Sequence, residues 1–103
     1  KGFEASDMVL EETYETNMLE HAYIEPEAGM AYREEDGALI IMVTTQNPHA
    51  DQAQLVSILN LPPEKVRVIQ TETGGGFGGK LDLSVQPFLA LAAYHLNRPV
   101  RMV

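Results

Sequence analysis

The chain has 103 residues, 45% hydrophobic and 21% charged, the composition of one small folded domain rather than of a disordered segment. Its formal net charge of −8 excludes a nucleic-acid reader, which needs clustered Lys and Arg to neutralise phosphates. The absence of cysteine excludes disulfides, thiolate metal sites and iron–sulfur ligation within this stretch, and agrees with a reducing, cytoplasmic setting.

Acidic residues crowd the first third, from Glu4 to Asp36, and read mainly as a solvated face. Residues 7–15, with Val9, Leu10 and Tyr14 as apolar positions, read as a strand followed by acidic polar sequence, although the Glu residues suit a helix equally. His21 to Glu27 mixes aromatic, acidic and Pro residues and reads as a loop or short extended segment. Ala28–Arg33 and Ala38–Thr45 flank Glu34-Glu35-Asp36-Gly37, a hairpin signal. The run Leu39-Ile40-Ile41-Met42-Val43 predicts a strand buried on both faces. The whole apolar run from Ala38 is far too short to cross a bilayer, so no membrane partner is expected.

Asn47-Pro48 has the form of a helix start, with Asn as N-cap and Pro at the first helical position. Ala50, Ala53, Val56 and Leu59 follow at helical spacing, and Asn60 with Pro62-Pro63 ends the helix. Lys65–Gln70 alternates as a strand does. A second helix is expected over Asp82–Asn97, with Phe88, Leu89, Ala92, Ala93 and Leu96 as its apolar face, Pro87 near its first turn and Asp82 as a candidate N-cap. Val100–Val103 begins another strand. Strands separated by helices predict an α/β fold, a mixed sheet with two helices, with parallel pairing in the second half. A start without Met and an apolar finish read as a segment of something longer, so residues 1–103 are taken as a single fragment.

Gly74-Gly75-Gly76-Phe77-Gly78-Gly79-Lys80 stands out. Glycines this dense weaken the backbone unless bare peptide must approach another group closely. Gly74, Gly76 and Gly79 satisfy a dinucleotide-loop spacing, but the acidic residue that fold wants about 20 positions on is missing. Gly74 to Lys80 also satisfies a phosphate-loop spacing, but Leu81 stands where Ser or Thr would hold Mg²⁺. A glycine turn that only packs helix against sheet is the bland alternative. Phe77 sets the loop apart, because a phosphate cradle needs no aromatic there.

Taken in order, Thr45-Gln46-Asn47-Pro48, Leu61-Pro62, Lys65-Val66-Arg67-Val68, Gly74–Lys80, Ala90-Leu91-Ala92-Ala93 and Arg98-Pro99-Val100 resemble the first part of the molybdopterin-binding region of xanthine dehydrogenases, aldehyde oxidases and their relatives. His21-Ala22-Tyr23-Ile24-Glu25-Pro26 resembles the segment that precedes it there. The resemblance runs from about Phe3 to Val103 and implies a partial molybdopterin-binding domain. It implies that Gln46 approaches the apical oxygen ligand of molybdenum, and that the Phe77 and Gly78 backbone lies beside the metal and pterin. Gly75, Gly76 and Gly79 would add amide donors to the cofactor, and Phe77 and Leu81 would line the substrate pocket. Such enzymes hydroxylate an aldehyde or aromatic heterocycle with oxygen from water. Electrons pass to iron–sulfur clusters and often to FAD, held on other domains or subunits.

The pterin's nucleotide form is left open, the cytosine dinucleotide among the candidates. The family's catalytic base lies downstream, so no catalytic residue is assigned here, and Glu25 and Glu72 are not given that role. The three histidines are not at metal spacing and receive no metal. Purine-hydroxylating members carry Glu directly after the loop Lys. Leu81 occupies that position and cannot hydrogen-bond a purine edge, which turns the expectation toward an aldehyde or another heterocycle. The implied partners are the rest of the large subunit and the iron–sulfur and flavin units, and self-association of the isolated piece is expected. A phosphate- or nucleotide-binding module and a non-catalytic α/β interaction domain are the alternatives.

Overall fold

Four strands and two helices are arranged in two layers in the computed structural model, which describes residues 1–103. In chain order they are β1 (Gly29–Arg33), β2 (Leu39–Val43), α1 (Pro48–Leu59), β3 (Val66–Gln70), α2 (Gln86–Leu96) and β4 (Val100–Met102). The strands form one sheet in the order β3-β2-β1-β4.

The hairpin β1–β2 is antiparallel, with Ala31 opposite Ile41. Gly37 N–H donates to Glu34 C=O, and Gly37 takes φ +85°, a conformation that favours glycine. Asp36 tightens the turn by accepting from Ala38 N–H at 2.8 Å. Strands β2 and β3 run parallel, joined through α1, as expected for strands separated by a helix. The fourth strand does not extend that parallel set. It crosses to the opposite edge and pairs antiparallel with β1, whose direction the hairpin reversed.

Both helices cover one face of the sheet. Leu39, Ile41 and Val43 of β2, Ala31 of β1 and Val66 of β3 pack there against Leu55 of α1 and Leu89, Ala90 and Ala93 of α2. The start of α1 follows the sequence signal, with Asn47 Oδ1 accepting from Ala50 N–H at 3.2 Å. Asn60 ends it in the left-handed conformation, as Asn97 does for α2.

Three expectations are corrected. Residues 7–15 form no strand: none of the four strands pairs with them, so no neighbour meets their backbone groups. The second helix begins at Gln86, not Asp82, and its N-cap is Val85, which has no side-chain bond. Here Pro87 fixes the first turn, and Ser84 N–H donates to the Gln86 side chain. The buried faces are also rotated. Asp51 and Leu55 are buried while Ala53 is exposed, and Gln86, Leu89, Ala90 and Ala93 are buried while Phe88 and Leu96 are exposed.

The accessible surface is 7704 Å², against about 5,800 Å² expected for a compact monomer of this mass. Residues 6–22 hold much of the excess, since all are exposed, Met8, Leu10, Tyr14, Met18 and Leu19 among them. No helix is long and apolar enough to cross a membrane.

Candidate functional site

Gln46 lies between the end of β2 and the N-cap of α1. The glycine loop follows β3, which is parallel to β2, so the two segments leave the sheet side by side at the same end. Gln46 Oε1 accepts two N–H bonds, from Gly78 at 3.0 Å and from Lys80 at 3.2 Å. In the main chain, Gln46 N–H donates to Lys80 C=O at 3.0 Å. The carboxamide oxygen is thereby held, and no bond within the chain engages the Nε2 amine.

The loop closes so tightly on this side chain that a larger residue would displace its neighbours. A Cβ on Gly76 would lie 2.5 Å from Gln46 Oε1, and one on Gly79 would lie 2.7 Å from Tyr23 Cε1. Phe77 itself takes a left-handed φ of +51° and is 73% exposed. The amides of Gly74, Gly78 and Gly79 are committed inside the chain, to Glu25, Gln46 and Gly76 C=O respectively. Those of Gly75, Gly76 and Phe77 have no partner in the chain.

The segment before β1 packs on the loop. Glu25 Oε2 accepts from Gly74 N–H and from Lys80 Nζ, each at 2.7 Å. The Lys80 side chain is fully buried and its ammonium lies 4.8 Å from the centre of the Tyr23 ring. Its ammonium, and then the Gly74 N–H, hold the Glu25 carboxyl below the usual Glu range. A polar relay continues from Tyr23 OH to Glu27, and from Glu27 to Ser84 Oγ, Gln86 and buried Asp51. Burial pushes the Asp51 carboxyl up, against the hydrogen bond that Gln86 Nε2 donates to it.

Gln46, Gly75, Gly76, Phe77, Gly78 and Gly79 are therefore brought together. Leu81 follows directly on the buried Lys80 and is exposed. Two cavities are present: one of about 210 Å³ on the uncovered face of the sheet, the other beside the β1–β2 turn. Neither includes Gln46, Phe77 or Leu81. Sequence reasoning missed Glu25 and Lys80 as partners. Their signal was a Lys in an acidic chain closing a glycine run, with no periodicity to tie it to Glu25.

The phosphate-loop alternative loses its main residue, because Lys80 is spent on Glu25 and cannot reach a phosphate. Five residues, Leu81–Val85, also separate Lys80 from the start of α2, so the loop does not run straight into a helix end.

A family model for the molybdopterin cofactor-binding domain matches residues 1–103. The chain is 54% identical over 101 residues to the nicotinate dehydrogenase large molybdopterin subunit of Eubacterium barkeri, covering 98% of this chain and 24% of that one. It is 34% identical over 94 residues to the xanthine dehydrogenase molybdenum-binding subunit of Escherichia coli O157:H7, covering 91% of this chain and 12% of that one. Among solved structures, aldehyde oxidoreductase from Desulfovibrio gigas superposes with TM-score 0.75 at 28% identity, covering 79% of this chain and 9% of that one. Quinoline 2-oxidoreductase from Pseudomonas putida 86 superposes with TM-score 0.75 at 28% identity, covering 79% and 11%. The chain thus spans about a quarter or less of the relatives it matches. With the mixed sheet, the glycine loop and the full-length family match in agreement, the chain belongs to the molybdopterin cofactor-binding domain of the xanthine dehydrogenase/aldehyde oxidase family.

Proposed function

We propose that residues 1–103 are one piece of the large subunit of a molybdenum hydroxylase that oxidises an aldehyde or an aromatic heterocycle, with water as the oxygen source. The observation that carries this reading is the seating of Gln46. Its carbonyl oxygen is fixed by two loop amides, so the one side-chain polar atom left without a partner in the chain is the Nε2 donor. A fixed N–H₂ donor suits an oxygen ligand on a metal, and the free amides of Gly75, Gly76 and Phe77 suit the polar edge of a pterin.

The donor set therefore fits molybdopterin, which supplies the two-electron redox centre when bound. Gln46 orients the group through its carboxamide, the loop amides hold it, and Phe77 and Leu81 present apolar surface toward the substrate. No residue of this chain serves as the base. Glu25 is held as a carboxylate by Lys80 and is unsuited to that role. The 54% identical relative is named for nicotinate, and Leu81 removes a purine-binding carboxylate, so a heterocycle such as nicotinate or an aldehyde is the proposed substrate class. The cytosine dinucleotide form of the pterin, iron–sulfur and FAD partner units and a cytoplasmic location complete the proposal. Separated from the rest of the subunit, the piece is inactive and self-associates through its exposed apolar arm.

The test is to purify the full-length protein from a host that makes the cofactor, assay molybdenum, and identify the extracted pterin by mass. Stoichiometric metal and pterin, with turnover of nicotinate or an aldehyde and not of xanthine on an artificial electron acceptor, are the expected result. Absence of both metal and pterin overturns the reading.

A further inference from the structure

Lys80 is buried and Glu25 half-buried, yet neither belongs to the apolar core. One carboxylate oxygen, Glu25 Oε2, ties the first amide of the glycine loop, Gly74 N–H, to the side chain of its last residue, Lys80. The Lys80 ammonium is buried with only this carboxylate and the Tyr23 ring beside it. The main chain of Lys80 in turn meets Gln46 twice, donating to Oε1 and accepting from N–H. A displacement of Lys80 therefore reaches the carboxamide directly.

We propose that Glu25 and Lys80 are positioning residues, a clasp that pins both ends of the glycine loop and so sets where Gln46 presents its amine. The clasp serves the site assigned above and rests on that reading for its purpose, though not for its existence. Buried ion pairs contribute little net stability compared with an apolar pair of the same size, but removing one partner strands the other charge. That asymmetry gives the test its shape. Glu25→Gln leaves an acceptor for Gly74 but strands the Lys80 ammonium. Glu25→Gln with Lys80→Met removes both charges and leaves the loop unpinned at Lys80.

Full-length wild type and both variants are compared by amide hydrogen exchange. The loop peptide over residues 73–81 is the reporter, and the β2 peptide over residues 39–43 is the folding control. The loop should exchange faster by on the order of tenfold in Glu25→Gln, with β2 unchanged, as local opening rather than global unfolding requires. The double variant should fold and fall between the two. Molybdenum content of the purified variants should drop in the same order, and the spectroscopic signature of the metal in what is retained should shift.

Loop exchange equal to wild type in the double variant overturns the clasp, as does a parallel rise in the loop and β2. If Glu25→Gln does not accumulate, the double variant alone decides. A wild-type protein without cofactor would sink the assigned site, while the exchange result would still judge the clasp.

Discussion

The helix-covered face of the sheet and the glycine-loop corner hold together by different physics. The first is apolar packing: Leu39, Ile41, Val43, Leu55, Leu89 and Ala93 fill one continuous core, and every member follows a strand or helix period. The second has no buried apolar cluster, only the rings of Tyr23 and Phe77 against the loop. It is built from directed bonds between segments far apart in the chain, Glu25 to Gly74 and Lys80, and Gln46 to Gly78 and Lys80. Removing bulk should wound the first region in proportion to volume, whereas adding bulk or removing one charge should disable the second with little loss of fold.

The sharpest contrast comes from truncation in the core. Leu55→Ala deletes a fully buried side chain and should destabilise the full-length protein by about 2–5 kcal/mol, read from denaturant midpoints. Two glycine substitutions then separate the regions. At Gly29 a Cβ would meet Val43 Cγ1 at 2.5 Å and Met42 C=O at 2.8 Å, so part of the obstacle is backbone. Gly29→Ala should cost about 1–3 kcal/mol, as overpacking does. At Gly76 the obstacle at 2.5 Å is the far end of the Gln46 side chain, which can swing away. Gly76→Ala should leave the denaturant midpoint nearly unchanged yet lose most of the molybdenum. A Gly76→Ala protein as unstable as Gly29→Ala would erase the distinction.

Acidity should split the regions as well. The Glu25 carboxyl is held below its ordinary range, so what the clasp contributes is present above that range and is lost as pH falls through the depressed value. Buried Asp51 has the opposite sign. Its carboxyl is raised, so its contribution is full below the ordinary Asp range and declines as pH rises through the raised value. Loop protection, corrected for the pH dependence of intrinsic amide exchange, should therefore fall on the acid side, while Asp51→Asn should flatten the loss of stability on the upper side. The smallest effect is expected at the hairpin. Lys65 bonds Asp36 in an exposed pair, and Lys65→Met should shift the thermal midpoint no more than an ordinary surface substitution.

The same contrast explains what could be read beforehand. Strand β2, the Asn47-Pro48 helix start and the Asp36-Gly37 turn each carry a local signal, and each formed where expected. The glycine loop and Gln46 were visible as a pattern, and they do meet. The faces of the helices were misjudged because Asp51 and Gln86 are polar residues buried by bonding to each other, which a hydrophobic period passes over. Residues 7–15 have strand-like composition, but a strand exists only with a neighbour, and this chain provides none. The Glu25–Lys80 pair left no local trace, because its members are 55 positions apart.

That separation bears on the order of assembly. The β1–β2 hairpin closes over a handful of residues, whereas the bonds from Glu25 to the loop span 49 and 55 positions. Chain entropy penalises distant contacts until intervening structure has shortened the path between them. The hairpin and the α1–β3 unit are therefore expected to form early, and the contacts of Tyr23 and Glu25 with the glycine loop late. The corner beside Gln46 is therefore expected to be the last part of this chain to reach its final geometry.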